Sequence, residues 1–204
     1  MPAIGITGGI ATGKSALMEQ LRLLLHDALF FDADHAAREL TDRDPEVREL
    51  ISSTFGAGVY SAAGHLNRGQ LRTIVFADPE KKRALEQILH PRIRRQWALE
   101  AGRRHNSTEL FFADIPLLYE TGGETLCNAV VVVACSPHLQ LQRLMARSSL
   151  ARKDAAQIIA AQLPLTDKIT RADHVVWNNG PMAGLAEQAQ ILAALWRGQE
   201  RART

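Results

Sequence analysis

The chain has 204 residues, of which 46% are hydrophobic, 23% charged and 5% aromatic; this suits one globular domain, or one domain with a small insertion, and excludes a disordered tail, a collagen or a repeat array. A formal net charge of +2 makes no electrostatic case for nucleic acid or a membrane surface, although only five of the 24 basic residues are lysines (Lys14, Lys81, Lys82, Lys153, Lys168), the rest being arginine, which suits bidentate contacts to phosphate and carboxylate. Cys127 and Cys135 have neither metal-site nor disulfide-framework spacing, the apolar run Ala129 to Cys135 is too short to span a membrane and no signal peptide opens the chain, so a soluble cytoplasmic protein is expected.

Ala3 to Thr7 reads as a short strand closed by Gly8-Gly9, and Leu17, Met18, Leu21, Leu24 and Leu25 follow at helical spacing. Between them Gly8-Gly9-Ile10-Ala11-Thr12-Gly13-Lys14-Ser15 matches the phosphate-loop pattern GxxxxGK[ST], in the strand-turn-helix context that gives the pattern its meaning. Glycines there let the backbone curl so that N–H groups and the helix N-terminus face a polyphosphate. Lys14 adds a charge reaching the β- and γ-phosphates, and the Ser15 hydroxyl can ligate Mg²⁺.

A second strand, Leu29 to Phe31, stops at Asp32-Ala33-Asp34 and is expected to lie beside the first. Carboxylates at a strand end can orient or deprotonate an attacking hydroxyl, or hold Mg²⁺ through water; if the strand continued, Asp32 and Asp34 would share a side. Asp34 can equally cap a helix over Ala36 to Leu40. About 75 residues rich in helix signals follow, too many for one crossover helix, and a helical insertion that holds the second substrate is expected. Its helix starts are marked by Asp44-Pro45 and Asp78-Pro79, with His90-Pro91 a further, less well capped candidate.

Leu110 to Ala113 makes a third strand stopping at Asp114, in the position of the second acid of P-loop proteins, and Ala129 to Cys135 a fourth. Ser136-Pro137 then opens a helix with Arg143 and Arg147 one turn apart; that face is either solvated or able to close as a lid on a transferred phosphoryl group. His174 to Trp177 is the fifth strand, and Asn178-Asn179-Gly180 is a turn that can also line an adenine pocket. Gly180-Pro181 opens a last helix with Met182, Leu185, Ala189, Leu192 and Trp196 on one face, expected to pack on the sheet, with a fraying Arg-rich end from Arg197 to Thr204. Strands without polar alternation, separated by helices, predict a doubly wound α/β fold with a parallel sheet.

In order along almost the whole chain, these motifs resemble the dephospho-CoA kinase family: Ile6-Thr7-Gly8-Gly9-Ile10 into Gly13-Lys14-Ser15, Asp32-Ala33-Asp34, Leu66-Asn67-Arg68, Leu71-Arg72, His90-Pro91, Asp114-Ile115-Pro116-Leu117-Leu118 with Glu120, Gln142-Arg143 with Arg147, Ala161-Gln162, Lys168 and Asn178-Asn179-Gly180. The loop alone is generic, but Asp-Ala-Asp, His-Pro and Pro-Leu-Leu at these intervals are specific.

The resemblance implies a P-loop NTPase fold of three α/β/α layers, with a core over 1–60, 106–138 and 170–204, a CoA-binding helical segment over about 61–105 and a lid over about 139–165. It implies ATP-dependent phosphorylation of the ribose 3′-hydroxyl of dephospho-CoA with Mg²⁺, by a monomer or weak homo-oligomer. Asp34 would be the catalytic base, with Lys14, Arg143 and Arg147 around the phosphates. Gly9, Ala11, Thr12, Gly13, Lys14, Ser15, Ala16, Asn178 and Asn179 would hold the nucleotide, Ser15 the metal, and Asp32, Arg68, Arg72, His90, Asp114 and Leu118 the acceptor.

Three departures stand out. Ala11-Thr12 replaces the usual Gly-Ser, which is tolerable if Ala11 keeps φ below zero. Leu29-Phe30-Phe31 replaces a Val-Ile pair, and Trp177 stands where an acidic residue is common, which bears on the adenine pocket. Without the resemblance, the residues reach a Mg²⁺-dependent P-loop phosphotransferase; the alternatives are a nucleoside monophosphate-type kinase and a nucleotide-dependent switch. The switch is disfavoured because Asp167-Lys168 lacks the Asn of a guanine-reading NKxD motif, and the dispersed arginines with few aromatics argue against a nucleic-acid-binding protein.

Overall fold

The computed structural model describes residues 3–103 and 109–201, with the side chains of 199–201 left aside. Five strands, β1 (Ala3–Gly8), β2 (Leu29–Asp32), β3 (Phe111–Asp114), β4 (Ala129–Ala134) and β5 (His174–Trp177), form one sheet in the order β2-β3-β1-β4-β5. β1 runs parallel to β3 and β4, with Ile6 opposite Asp114 and Val131, and β4 runs parallel to β5. Every residue of β1 and β3 is buried, which is why their sequences show no polar alternation. The expectation that β2 lies beside β1 is wrong: β2 is the edge strand, and β3 intervenes.

The helices are α1 (Lys14–Leu24), α2 (Ala33–Arg43), α3 (Pro45–Phe55), α4 (Arg68–Ala77), α5 (Pro79–Arg103), α6 (Pro137–Ser148), α7 (Arg152–Ala160), α8 (Leu165–Arg171) and α9 (Met182–Arg201). Two compact units result, Met1–Phe31 with Ala101–Thr204, and Asp32–Glu100. In the first, α1 and α9 cover one face of the sheet through Ile4, Ile6, Leu17, Leu21, Val131 and Val133, joined by Leu185, Ala189, Leu192 and Trp196 from α9. Phe30 stacks on Phe112, which meets Trp196 edge-on, both at 5.1 Å between ring centroids. Burial of this apolar stripe, at roughly 25 cal/mol per Å², is the main force holding α9 to the sheet. Met182, expected on the same face, is 55% exposed. α9 runs to Arg201, so the described part of the Arg-rich end expected to fray is helix, and the remainder of that expectation lies outside the described residues.

The second unit has its own core of Leu40, Val47, Ile51, Val59, Leu71 and Ile88. Its helices start where the sequence supplies an oxygen to the first free N–H groups: Asp32 accepts from His35, Asp44 from Val47, Asn67 from Gln70 and Asp78 from Glu80. Ser136 does the same for α6 in the first unit. His90-Pro91 does not open a helix. Pro91 lies inside α5, where its ring removes the N–H that would reach Gln87, and the Arg92 guanidinium donates to Ile88 O at 2.9 Å on the adjacent turn, while also pairing with Glu46.

Candidate active site

The phosphate loop leaves the C-terminal end of β1 and enters α1 at Gly13, whose φ of 99° and ψ of 23° are left-handed. No side chain caps α1, so its first N–H groups are turned toward whatever the loop encloses. Ala11 has a φ of 61°, so the condition under which the departure from glycine costs nothing is not met, and a Cβ stands in the left-handed region at a cost of about 1 kcal/mol. Thr12, the neighbouring departure, is fully buried and its hydroxyl donates to Gly9 O at 2.9 Å, closing the loop on itself.

Long-range contacts hold the loop from three directions. Asn178, at the end of β5, donates its amide to Thr12 O at 2.9 Å, and Arg143 of α6 donates to Asn178 O at 3.0 Å and Thr12 O at 3.5 Å. Gln162 accepts from Ile10 N at 2.8 Å, while Gln140 donates to Ile10 O at 2.9 Å. Asn179 accepts from Ser136 N at 2.7 Å and thereby ties the turn after β5 to the start of α6. Lys14 extends across to form an ion pair with Asp114 at the end of β3. Arg143 also lies beside Cys135, whose thiol is pushed up by burial, with the guanidinium acting against that shift.

Among the expected residues, Gly9, Ala11, Thr12, Gly13, Lys14, Asp114, Arg143 and Asn178 are thus brought into one cluster within the first unit. Arg147, one turn beyond Arg143 on α6, is exposed. Leu118 is fully buried: its Cδ2 lies 2.8 Å from where a Cβ on Gly5 would stand, so it packs under β1 and offers no surface to a substrate. Trp177 is 48% exposed, with its peptide bracketed by the Gln188 side chain, which accepts from its N–H and donates to its carbonyl.

The second unit carries the other expected residues. The strand ends at Asp32 and the helix starts at Ala33, so Asp32 and Asp34 do not share a strand face. Asp32, not Asp34, is the helix cap, which leaves Asp34 exposed in the first turn of α2. Arg68 pairs with Asp42 at 2.9 Å and reaches the Thr41 hydroxyl at 3.2 Å, Arg72 lies over the Phe76 ring, and His90 sits in α5 with its pKa lowered by burial against the opposing pull of Glu86.

Ser15 and Asp114 present hard oxygen donors, the chemistry Mg²⁺ requires. Among the described residues no group of three or more His, Cys, Asp or Glu side chains forms a metal cage.

Sequence reading missed the polar grip on the loop. Gln140 shares the buried face of α6 with Leu144, a polar residue at a core position being the only signal. Lys168 is fully buried in α8 and donates toward Gly8 O and Pro116 O, a placement that a charged residue in a polar-looking helix does not announce.

The dephospho-CoA kinase family model matches residues 2–184. The chain is 44% identical over 199 residues to a dephospho-CoA kinase of Anaeromyxobacter dehalogenans, covering 97% of this chain and 93% of that protein. It is 36% identical over 194 residues to one of Bacillus cereus, covering 95% and 96% respectively. The solved structure of dephospho-CoA kinase from Campylobacter jejuni superposes with a TM-score of 0.73 at 26% identity, covering 97% of this chain and 98% of that one. With the family model spanning nearly the whole chain and relatives this similar end to end, the chain belongs to the dephospho-CoA kinase family.

Proposed function

We propose that the protein transfers the γ-phosphoryl group of ATP to the ribose 3′-hydroxyl of dephospho-CoA, giving coenzyme A and ADP. The observation that carries this reading is the loop of Gly8 to Ser15, with Lys14 held on Asp114, in a chain that matches the family along 2–184. The 3′-oxygen forms a bond to the γ-phosphorus as the bond from that phosphorus to the β–γ bridging oxygen breaks, and the hydroxyl proton passes to a base. Asp34 is the base in this reading, an exposed carboxylate that opens α2 and has no capping duty.

Little covalent chemistry falls to the protein in such a transfer, so its work is positioning and charge stabilisation. Uncapped N–H groups of α1 and the ammonium of Lys14 receive the phosphates. Arg143, fixed to the loop through Thr12 O and Asn178 O, holds a guanidinium beside them, and exposed Arg147 closes on the transferring group. Mg²⁺, when bound through Ser15 and Asp114, supplies neutralisation of the developing phosphate charge. In the acceptor-binding segment, Arg68, Arg72 and His90 meet the anionic parts of dephospho-CoA, with Asp32 setting the entry to α2. No helix among the described residues is long and apolar enough to cross a membrane.

The test is ATP consumption measured side by side with dephospho-CoA, adenosine, AMP and shikimate. Turnover dependent on dephospho-CoA alone is expected. A preference for AMP would move the protein to nucleoside monophosphate kinases, and turnover independent of all four would make it a nucleotide-dependent switch.

A further inference from the structure

The ammonium of Lys168 has no exposure, and its three protons meet three acceptors: Glu120 Oε1 at 2.7 Å, Pro116 O at 3.2 Å and Gly8 O at 3.4 Å. Pro116 O also accepts from the buried Thr7 hydroxyl at 3.1 Å, so the end of β1, the segment after β3 and α8 converge on one point. The same oxygen of Glu120 accepts from Leu163 N at 3.1 Å, in the connection between α7 and α8. Its neighbour Gln162 accepts from Ile10 N. The loop is therefore gripped at Gly8 through Lys168 and at Ile10 through Gln162, and both grips return to one short stretch of chain. α7, which precedes that stretch, packs on α6, the helix of Arg143 and Arg147.

A buried ion pair is weak evidence for stability, because desolvation offsets most of the attraction, and apolar residues of similar volume often serve as well. Its use here is directional: it fixes two carbonyls and one N–H relative to one another. We propose that Lys168, with Glu120, is a positioning residue for phosphoryl transfer, which sets the phosphate loop and the lid arginines in mutual register. The proposal rests on reading the loop as the ATP site.

Four variants of the full chain, built from three substitutions, test it. Lys168→Met removes both backbone contacts and leaves Glu120, which reaches solvent, unpaired; both Tm and kcat/KM for ATP fall, the latter about tenfold or more, as for a misplaced catalytic framework. Adding Glu120→Gln makes the pair neutral and keeps an acceptor for Leu163 N, so Tm recovers while kcat/KM and ADP affinity stay low. If both recover with Tm, the pair is structural only and the proposal falls. If Lys168→Met does not fold, the double variant still gives the reading. Gln162→Ala in the unaltered chain weakens ADP binding, and in the double variant it weakens it less, because the grips share one segment; strictly additive effects would overturn the proposal. ADP affinity, measured by calorimetry, needs no acceptor. Should the unaltered protein fail to phosphorylate dephospho-CoA while the variants follow this pattern, the acceptor assignment falls and the positioning role stands.

Discussion

The ammonium of Lys14 is ion-paired with the carboxylate of Asp114, across the gap between the phosphate loop and the end of β3. The pair holds the lysine extended over the loop, where incoming phosphates can take its charge without a search among rotamers. Lys14→Ala is expected to lower kcat by about 10²- to 10³-fold, the size of losing one preorganised charge at a transferring group. Asp114→Asn keeps a hydrogen-bond acceptor for Lys14 but loses the carboxylate proposed to hold Mg²⁺, so kcat is expected to fall while the KM for ATP changes little. Steady-state kinetics over a range of ATP separates the two, and unchanged kcat in Asp114→Asn would confine Asp114 to holding Lys14.

Asp34 stands exposed in the first turn of α2, beside a neighbour that has taken the capping role. A carboxylate spared that duty is available for proton abstraction. Asp34→Asn should lower kcat about 10²-fold or more and leave ATP affinity nearly intact, the signature of general-base loss. Single-turnover measurement of the transfer step checks this, and an unchanged rate removes Asp34 from the mechanism. Asp32→Ala, by contrast, should cost about 1 kcal/mol of stability through the lost cap.

What could be read from sequence was whatever chain neighbours decide. The first strand, the glycine loop and α1 follow from local pattern, and Asp44, Asp78 and Ser136 sit where an oxygen and a following proline mark a helix start. His90-Pro91 offers the proline without a capping oxygen, and it lies mid-helix in α5. Strand order is not legible in the sequence, since a crossover does not say whether it returns to the adjacent place or skips one, and the expectation that β2 lies beside β1 fails for that reason. The contacts that hold the loop were hidden for a related reason. Lys168 and Gly8 are 160 residues apart, and nothing in either neighbourhood announces the other.

Ala11 and Gly13 both have positive φ, at 61° and 99°, but their surroundings differ. A Cβ on Gly13 would run into the Asn178 amide that donates to Thr12 O, so Gly13→Ala should break the grip on the loop and abolish ADP binding. Ala11→Gly relieves left-handed strain while loosening the unfolded chain, two effects of about 1 kcal/mol or less that nearly cancel. Stability should therefore shift by less than about 1 kcal/mol, and activity should persist. Calorimetric ADP titration and thermal unfolding of both variants check the contrast; an inactive Ala11→Gly enzyme would show that the alanine methyl itself contributes to the loop.

Burial lowers the pKa of His90 below its usual 6.5, and the opposing pull of Glu86, one turn earlier on α5, does not offset it. In the unfolded chain the ring titrates near 6.5, so between that value and the lower folded one the unfolded state holds more protons. Stability is then fully present above about pH 6.5 and is lost as pH falls toward the folded pKa. His90→Gln removes this contribution, and its Tm should fall less steeply than that of the unaltered protein between about pH 7 and 5. Bound acceptor should reduce the same dependence in the unaltered protein, because an anion beside the ring favours its charged form. Thermal unfolding across that range, with and without dephospho-CoA, reads both effects; parallel Tm profiles for the two proteins would assign the acid sensitivity to other groups.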